Sequence, residues 1–227
     1  MEEKQSRVPY APPRVTPAEM LARARAHYRQ MDQRRSVRDF SDEPVPIEAI
    51  ADAIRAASTA PSGAHMQPWT FVVVDDSELK SKVRQAAEEE ERQFYADRAG
   101  SEWLSALAPL GTDWEKPHLE TAPYLIICFM QSYGVAEDGA HYKHYYAQES
   151  MGIAVGMLIA AIHHIGLATL PHTPNPMAFL TQLLKRPQNE RPFALLPVGY
   201  PAADATVPDL KRKELAEVMV RNLGEPF

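Results

Sequence analysis

The sequence is poor in the residues that usually announce a mechanism. Its 227 positions hold one cysteine, Cys128, inside the apolar run YLIICFM. A single thiol excludes a disulfide framework within one chain, and without a basic neighbour to stabilise its thiolate it makes a poor nucleophile. Neither G-x-G-x-x-G nor G-x-x-x-x-G-K-[ST] occurs, so the glycine-rich phosphate cradles are missing and side chains would have to hold any phosphate. A positive excess is missing too. The net charge is −6 with basic residues scattered along the chain, a field that repels an extended polyanion and excludes nucleic acid as a partner. The longest apolar stretch, MGIAVGMLIAAI, is too short to span a bilayer, and the opening MEEKQSRVPYAPPRV has no apolar signal-peptide core. A cytoplasmic protein with no membrane partner is expected.

What is present suits a globular core, since 45% of the residues are hydrophobic. After a proline-rich lead over residues 1–15, TPAEMLARARAHYRQMDQRRS predicts a helix: Thr16 can cap it, Pro17 suits its first turn, and Met20, Leu21 and Tyr28 recur near helical spacing. VPIEAIADAIRAASTAPSG predicts another, with Ile47, Ile50, Ala51, Ile54 and Ala57 on one face until Pro61, Ser62 and Gly63 break the pattern. WTFVVVDD reads as a strand buried on both faces, SELKSKVRQAAEEEERQFYADRAG as helix, and APYLIICFM and FALLPVGYP as core strands. QESMGIAVGMLIAAIHHIG is apolar nearly all round, which places it in the middle of the core or at a subunit interface. Substantial helices and few strands, without regular alternation, give an α+β fold.

Two stretches stand apart chemically. RRSVR crowds Arg34, Arg35, Ser36 and Arg38 into five residues. Guanidinium groups bind phosphate bidentately and a serine hydroxyl adds a donor, so the cluster is either a solvated turn or the holder of one small anion. TAPSGAHMQPW is either an ordinary helix-ending loop or a turn whose backbone N–H groups are free to face a ligand. His141 and His144 have helical spacing, but no carboxylate or cysteine motif joins them and no metal is expected. Glu91 and Tyr95, four apart, share a face of the helix predicted there.

Taken together, RRSVR, APSGAHMQPWTFVVV, LPHTP and LLPVGYPAADATVPDLKRK resemble the nitroreductase-like FMN flavoprotein superfamily over residues 8–220, and EEEERQFYADR, TDWEK and HTP resemble its iodotyrosine deiodinase branch. The resemblance implies a central, mainly antiparallel sheet surrounded by helices in an intertwined homodimer. It also implies a single domain over residues 16–227, with a substrate lid at 88–118, and flavin mononucleotide (FMN) as cofactor. By the same resemblance Arg34, Arg35, Ser36, Arg38 and Arg212 gather around the FMN phosphate and ribityl end, while Pro61, Ser62 and Gly63 run along the isoalloxazine. Pro171, His172 and Thr173 reach its other edge. The Thr173 hydroxyl matches the family's donor to flavin N5, a bond that favours one-electron steps over hydride transfer. Glu91, Tyr95 and Lys116 match the side chains that hold the amino-acid end of a halotyrosine: a carboxylate for the ammonium, a phenol to bond and cover, and an ammonium for the carboxylate. The backbone N–H of Ala64 matches the donor to the substrate phenolate.

The implied activity is reductive removal of halide from halogenated tyrosines, with electrons from NAD(P)H, directly or through a separate reductase. Among enzymes the alternative is a general FMN nitroreductase or quinone reductase acting by hydride transfer. Outside enzymes it is a flavin- or halotyrosine-binding protein without turnover. Membrane-anchored animal members of the branch carry an N-terminal hydrophobic segment with no counterpart in this sequence, so a role in thyroid-type iodide salvage is not expected.

Overall fold

The computed structural model of the chain describes residues 7–222, which divide after Arg34 into two units. The first holds one helix, α1 (Pro17–Asp32). Thr16 accepts from the Glu19 amide at 3.2 Å, and Pro17 occupies a first-turn position where no amide is needed. None of its residues is buried, Met20, Leu21 and Tyr28 included, so the spacing marks a helix here without marking a buried face. The Arg34 amide donates to the Met31 carbonyl at 3.1 Å and closes the unit.

The second unit runs α2 (Ile47–Ser58), β1 (Trp69–Val74), α3 (Ser77–Gln93), α4 (Ser101–Leu107), α5 (His118–Thr121), β2 (Tyr124–Gln131), β3 (Tyr133–Val135), β4 (His141–Lys143), α6 (Ala147–His164), β5 (Ala168–Thr169), α7 (Ala178–Leu183), β6 (Glu190–Gly199) and α8 (Leu215–Val218). Four strands make one sheet in the order β1-β2-β6-β5, antiparallel at each junction, and β3 with β4 makes a separate hairpin. This is the α+β arrangement that the sequence predicts.

The two central strands explain the architecture. All side chains from Tyr124 to Phe129 are buried, and successive ones go to opposite faces. Ile126, Cys128, Leu196 and Val198 meet Ile50 and Ala57 of α2 and Met151, Leu158 and Ile162 of α6. Leu125, Ile127, Phe129 and Leu195 meet Val83 and Ala87 of α3, Leu119 of α5 and Leu180 of α7. A strand covered on both faces keeps no polar side, hence the unbroken apolar run of β2. Burial also pushes the Cys128 thiol well above its ordinary pKa, which leaves it inert.

Two expectations change and a third is narrowed to one of its alternatives. β1, read as buried on both faces, is an edge strand in which only Val74 is fully buried; apolar β-branched residues suit a half-buried edge as well as a centre. α6 turns Met151, Ala154, Val155, Leu158 and Ile162 inward but leaves Gly152, Ile153 and Gly156 exposed, so a helix apolar all round packs on one side within this chain. His141 and His144 share no helix. His141 lies on β4 with its ring 4.4 Å from that of Tyr133, and His144 Nδ1 is 3.0 Å from the Gln131 carbonyl oxygen. No helix of the described residues is long and apolar enough to cross a membrane.

Candidate active site

A cavity of about 420 Å³ opens between three stretches of chain: the end of α3 and the turn after it, the connection through α4 to Lys116, and the loop after β5. α3 begins on a side-chain cap, Asp76 accepting from the Leu79 amide at 2.7 Å. Its α-helical winding stops at Gln93. Phe94–Arg98 form a wider π-turn, in which the Ala99 amide bonds the Phe94 carbonyl five residues back at 2.8 Å. Glu91 and Tyr95 therefore lie on either side of a change in winding rather than on one continuous α-helix, yet both still line the cavity.

Lys116 supplies the opposite charge. It is 3% exposed, its amide donates to Glu88 Oε1 at 2.7 Å, and its Nζ donates to the Asp113 carbonyl and lies 3.6 Å from Glu91 Oε2. Burial lowers the Lys116 pKa against the pull of Glu91, and burial raises the Glu91 pKa against the pull of Lys116. Each partner is thus pushed toward its neutral form, because desolvation outweighs their mutual attraction. The Tyr95 hydroxyl donates to the Thr112 carbonyl at 3.3 Å, and burial followed by the Glu91 charge raises its pKa.

The facing loop is fixed by the sheet. β5 pairs with β6, and the His172 amide and carbonyl then exchange bonds of 2.8 and 2.9 Å with those of Leu195. This leaves Pro171, His172, Thr173 and Asn175 on the cavity wall, with Thr173 exposed toward it. The His172 ring meets His118 edge to face at 6.1 Å between centroids, and among the described residues neither Nε2 has a partner. Burial, then the charge of Lys116, lowers His118 to about 4 and His172 to about 3. Both rings are neutral at physiological pH.

The arginine stretch runs beside the same strand. Ser36 bridges Thr169 in parallel, and the Val37 amide donates to the Thr169 carbonyl at 3.4 Å. Arg38 is half-buried, and its charge reaches Tyr95, Lys116, His118 and His172. Arg35 donates from Nη2 to the carbonyl of Pro208, four residues before the exposed Arg212. Arg34 belongs to the first unit. The turn after α2 goes elsewhere: Ser62 Oγ accepts from the Gln67 amide at 2.9 Å, the Gly63 amide donates to Ser150 Oγ at 3.3 Å, and Ala64, His65 and Gln67 all have positive φ. A Cβ on Gly63 would lie 2.3 Å from the Tyr145 carbonyl oxygen, so glycine is required for close approach there. Neither this turn nor its Ala64 forms part of the cavity wall.

The structure therefore gathers Glu91, Tyr95, Lys116, Pro171, His172 and Thr173 at one cavity, sets Arg35, Ser36 and Arg38 on a neighbouring stretch, and leaves Pro61, Ser62, Gly63 and Ala64 apart. Arg98 and Thr112 join the cavity from the stretches EEEERQFYADR and TDWEK, where the resemblance gave them no role of their own, while His118 and Asn175 join it or its surroundings from outside any such stretch, recruited by folding. Among the described residues, no three His, Cys, Asp or Glu side chains gather where a metal ion could bind.

Residues 31–200 match the Nitroreductase family. The chain belongs to that family. Within it the chain lies in the iodotyrosine deiodinase branch: it is 56% identical to an iodotyrosine deiodinase of Haliscomenobacter hydrossis over 97% of this chain and 99% of that protein. It is 47% identical to human iodotyrosine deiodinase 1 over 96% of this chain and 76% of that one. A crystal structure of oxidized iodotyrosine deiodinase bound to FMN and 3-iodo-L-tyrosine superposes with a TM-score of 0.73 at 34% identity, covering 86% of this chain and 97% of that one. A nitroreductase with bound FMN from Bacteroides fragilis superposes with a TM-score of 0.62 at 19% identity over 86% and 98% of the two chains, a likeness of fold alone. The wall of this cavity thus carries the largely desolvated Glu91–Lys116 pair and the exposed Thr173.

Proposed function

We propose that the chain is an FMN-dependent reductive dehalogenase of halogenated tyrosines, converting iodotyrosine, two electrons and a proton to tyrosine and iodide. The observation that carries this is the Glu91–Lys116 pair, 3.6 Å apart and lining the cavity that Thr173 faces. A simple nitroreductase substrate has no use for a desolvated pair of opposite charges; an amino acid needs both.

The residues fit FMN. A dianionic phosphate without a glycine-rich loop needs several fixed donors, and Arg35, Ser36 and Arg38 offer them from one half-buried stretch. That stretch is bridged to Thr169, and the four residues from there to Thr173 span at most about 14 Å, so an extended cofactor can have its anionic end at the arginines and its ring at the threonine. Arg34 and Arg212 would add to the phosphate side, and Pro171 and His172 would border the ring. When bound, reduced FMN supplies the two electrons. Glu91 would take the substrate ammonium, Lys116 its carboxylate, and Tyr95 would bond and cover it. Thr173 would hold a hydrogen bond to N5 and steer the chemistry toward single-electron steps.

A homodimer accounts for the turn that this chain keeps away from its own cavity: Pro61, Ser62, Gly63 and the Ala64 amide would complete the site of a second copy. The lid would comprise residues 88–118 within one domain spanning 16–227, in a cytoplasmic protein drawing electrons from NAD(P)H, directly or through a separate reductase. The test is iodide release from 3-iodotyrosine by dithionite-reduced protein without oxygen, with flavin oxidation followed in the same cuvette. Stoichiometric iodide is expected. Oxidation by 4-nitrophenol alone would make the protein a nitroreductase, and oxidation by neither a binding protein.

A further inference from the structure

One guanidinium that lines the cavity is left over by the substrate and cofactor roles proposed for its neighbours. Arg98 ends the π-turn after α3. Its Nη1 donates to the Asn175 carbonyl at 2.9 Å, and its Nη2 donates to the Glu90 carbonyl at 2.9 Å with Glu90 Oε2 at 3.2 Å. Glu90 immediately precedes the clamp carboxylate Glu91, and Asn175 follows Thr173 by two residues. A single planar fork thus ties the backbone that carries the clamp to the backbone that carries the threonine, across the cavity that Glu91, Arg98, Thr173 and Asn175 all line. From the end of the wide winding of Phe94–Arg98 this side chain reaches back eight residues to Glu90.

We propose that Arg98 is a positioning residue that transmits occupancy of the Glu91–Lys116 clamp to the Thr173 loop. The proposal rests on the clamp described under the proposed function. Two of its bonds go to carbonyl oxygens, so their strength comes from the charged donor, and the rigid spacing of guanidinium nitrogens lets one group hold two segments at a set separation. The side chain is 40% exposed, which makes the tie a contact that can be made and released, not a core element. When a zwitterion fixes Glu91, the end of α3 is fixed with it; Arg98 then holds Asn175, and with it the placement of the Thr173 hydroxyl. A lysine at position 98 would offer a point charge and could not span both carbonyls equally well.

The test uses FMN-loaded protein and 3-fluorotyrosine, whose carbon–fluorine bond resists reduction. Hydrogen exchange is measured at the Thr173 and Asn175 amides and over residues 88–95, with and without ligand. In the native chain ligand slows exchange at both places. In Arg98→Met the slowing over 88–95 persists while that at Thr173 and Asn175 falls roughly tenfold, as expected for loss of a charge-assisted bond; Arg98→Lys recovers part of it. In turnover, Arg98→Met lowers kcat for iodotyrosine more than it raises KM and does not lower 4-nitrophenol reduction, whereas a folding defect would lower both. Equal slowing at Thr173 and Asn175 in native and Arg98→Met protein, or no slowing there in the native chain, overturns the proposal. Lys116→Ala is run alongside: unchanged affinity for 3-fluorotyrosine in that variant would remove the clamp itself, an outcome separate from any result at Arg98.

Discussion

Lys116 meets Glu91 where neither is well solvated, so the two already satisfy each other before any amino acid arrives. Binding is then an exchange of partners, and a ligand with both charges replaces the pair at little electrostatic cost while one with a single charge strands a buried ion. Lys116→Ala is expected to raise KM for iodotyrosine by roughly tenfold or more, measured by steady-state iodide release. The same burial fixes the pH response. Glu91, raised, becomes neutral sooner as pH falls; Lys116, lowered, becomes neutral sooner as pH rises. The range over which both are charged is narrower at each end than for free side chains, so KM should climb on the acid side above the ordinary glutamate range, and Glu91→Gln should flatten that acid limb in a KM–pH profile. Thr173→Ala is expected to lower iodide release and raise 4-nitrophenol reduction, read as the ratio of the two rates on one preparation.

Among the elements, the turn after α2 has little room for change. Gly63→Ala would force a Cβ against the Tyr145 carbonyl and displace the neighbouring positive-φ residues, which should lower thermal stability by about 1–3 kcal/mol and weaken phenolate recognition; a melting curve and KM for iodotyrosine check both. Much of this level was legible in the sequence. β2 and β6 were visible as apolar runs because burial on both faces leaves no polar periodicity, and α1 and α2 were visible through Thr16 and through the break at Pro61–Gly63. The π-turn at Phe94–Arg98 was not, since the choice between a carbonyl four or five residues back leaves no residue signature. The β3–β4 hairpin hid behind histidines whose spacing imitates a helix. That Glu91, Tyr95 and Lys116 meet at one cavity was foreshadowed by resemblance, but the tie from Arg98 to Asn175 depends on main-chain oxygens, which every residue possesses and no motif records.

Across the whole molecule, acid is the condition to which this fold should be most sensitive. His118 and His172 are held neutral by burial, so unfolding lets them take up protons between their native pKa values of about 4 and 3 and an unfolded value near 6.5. Stability is therefore complete above about pH 6.5 and is lost as pH falls toward 4. At pH 5 the loss is on the order of 2 kcal/mol per histidine, and a double His118→Gln, His172→Gln variant should show a flatter dependence of melting temperature on pH between 7 and 5. The sheet carries a further consequence. Tyr124 pairs with Val198 and Trp69 with Met130, so its ladders join stretches distant along the chain, and the arginine stretch, the clamp and the Thr173 loop meet only after those ladders close. Such long-range closures are slow steps in folding. The cavity should therefore form late in folding, and a nascent chain is expected to have no place for its cofactor until most of its length has been synthesised and paired.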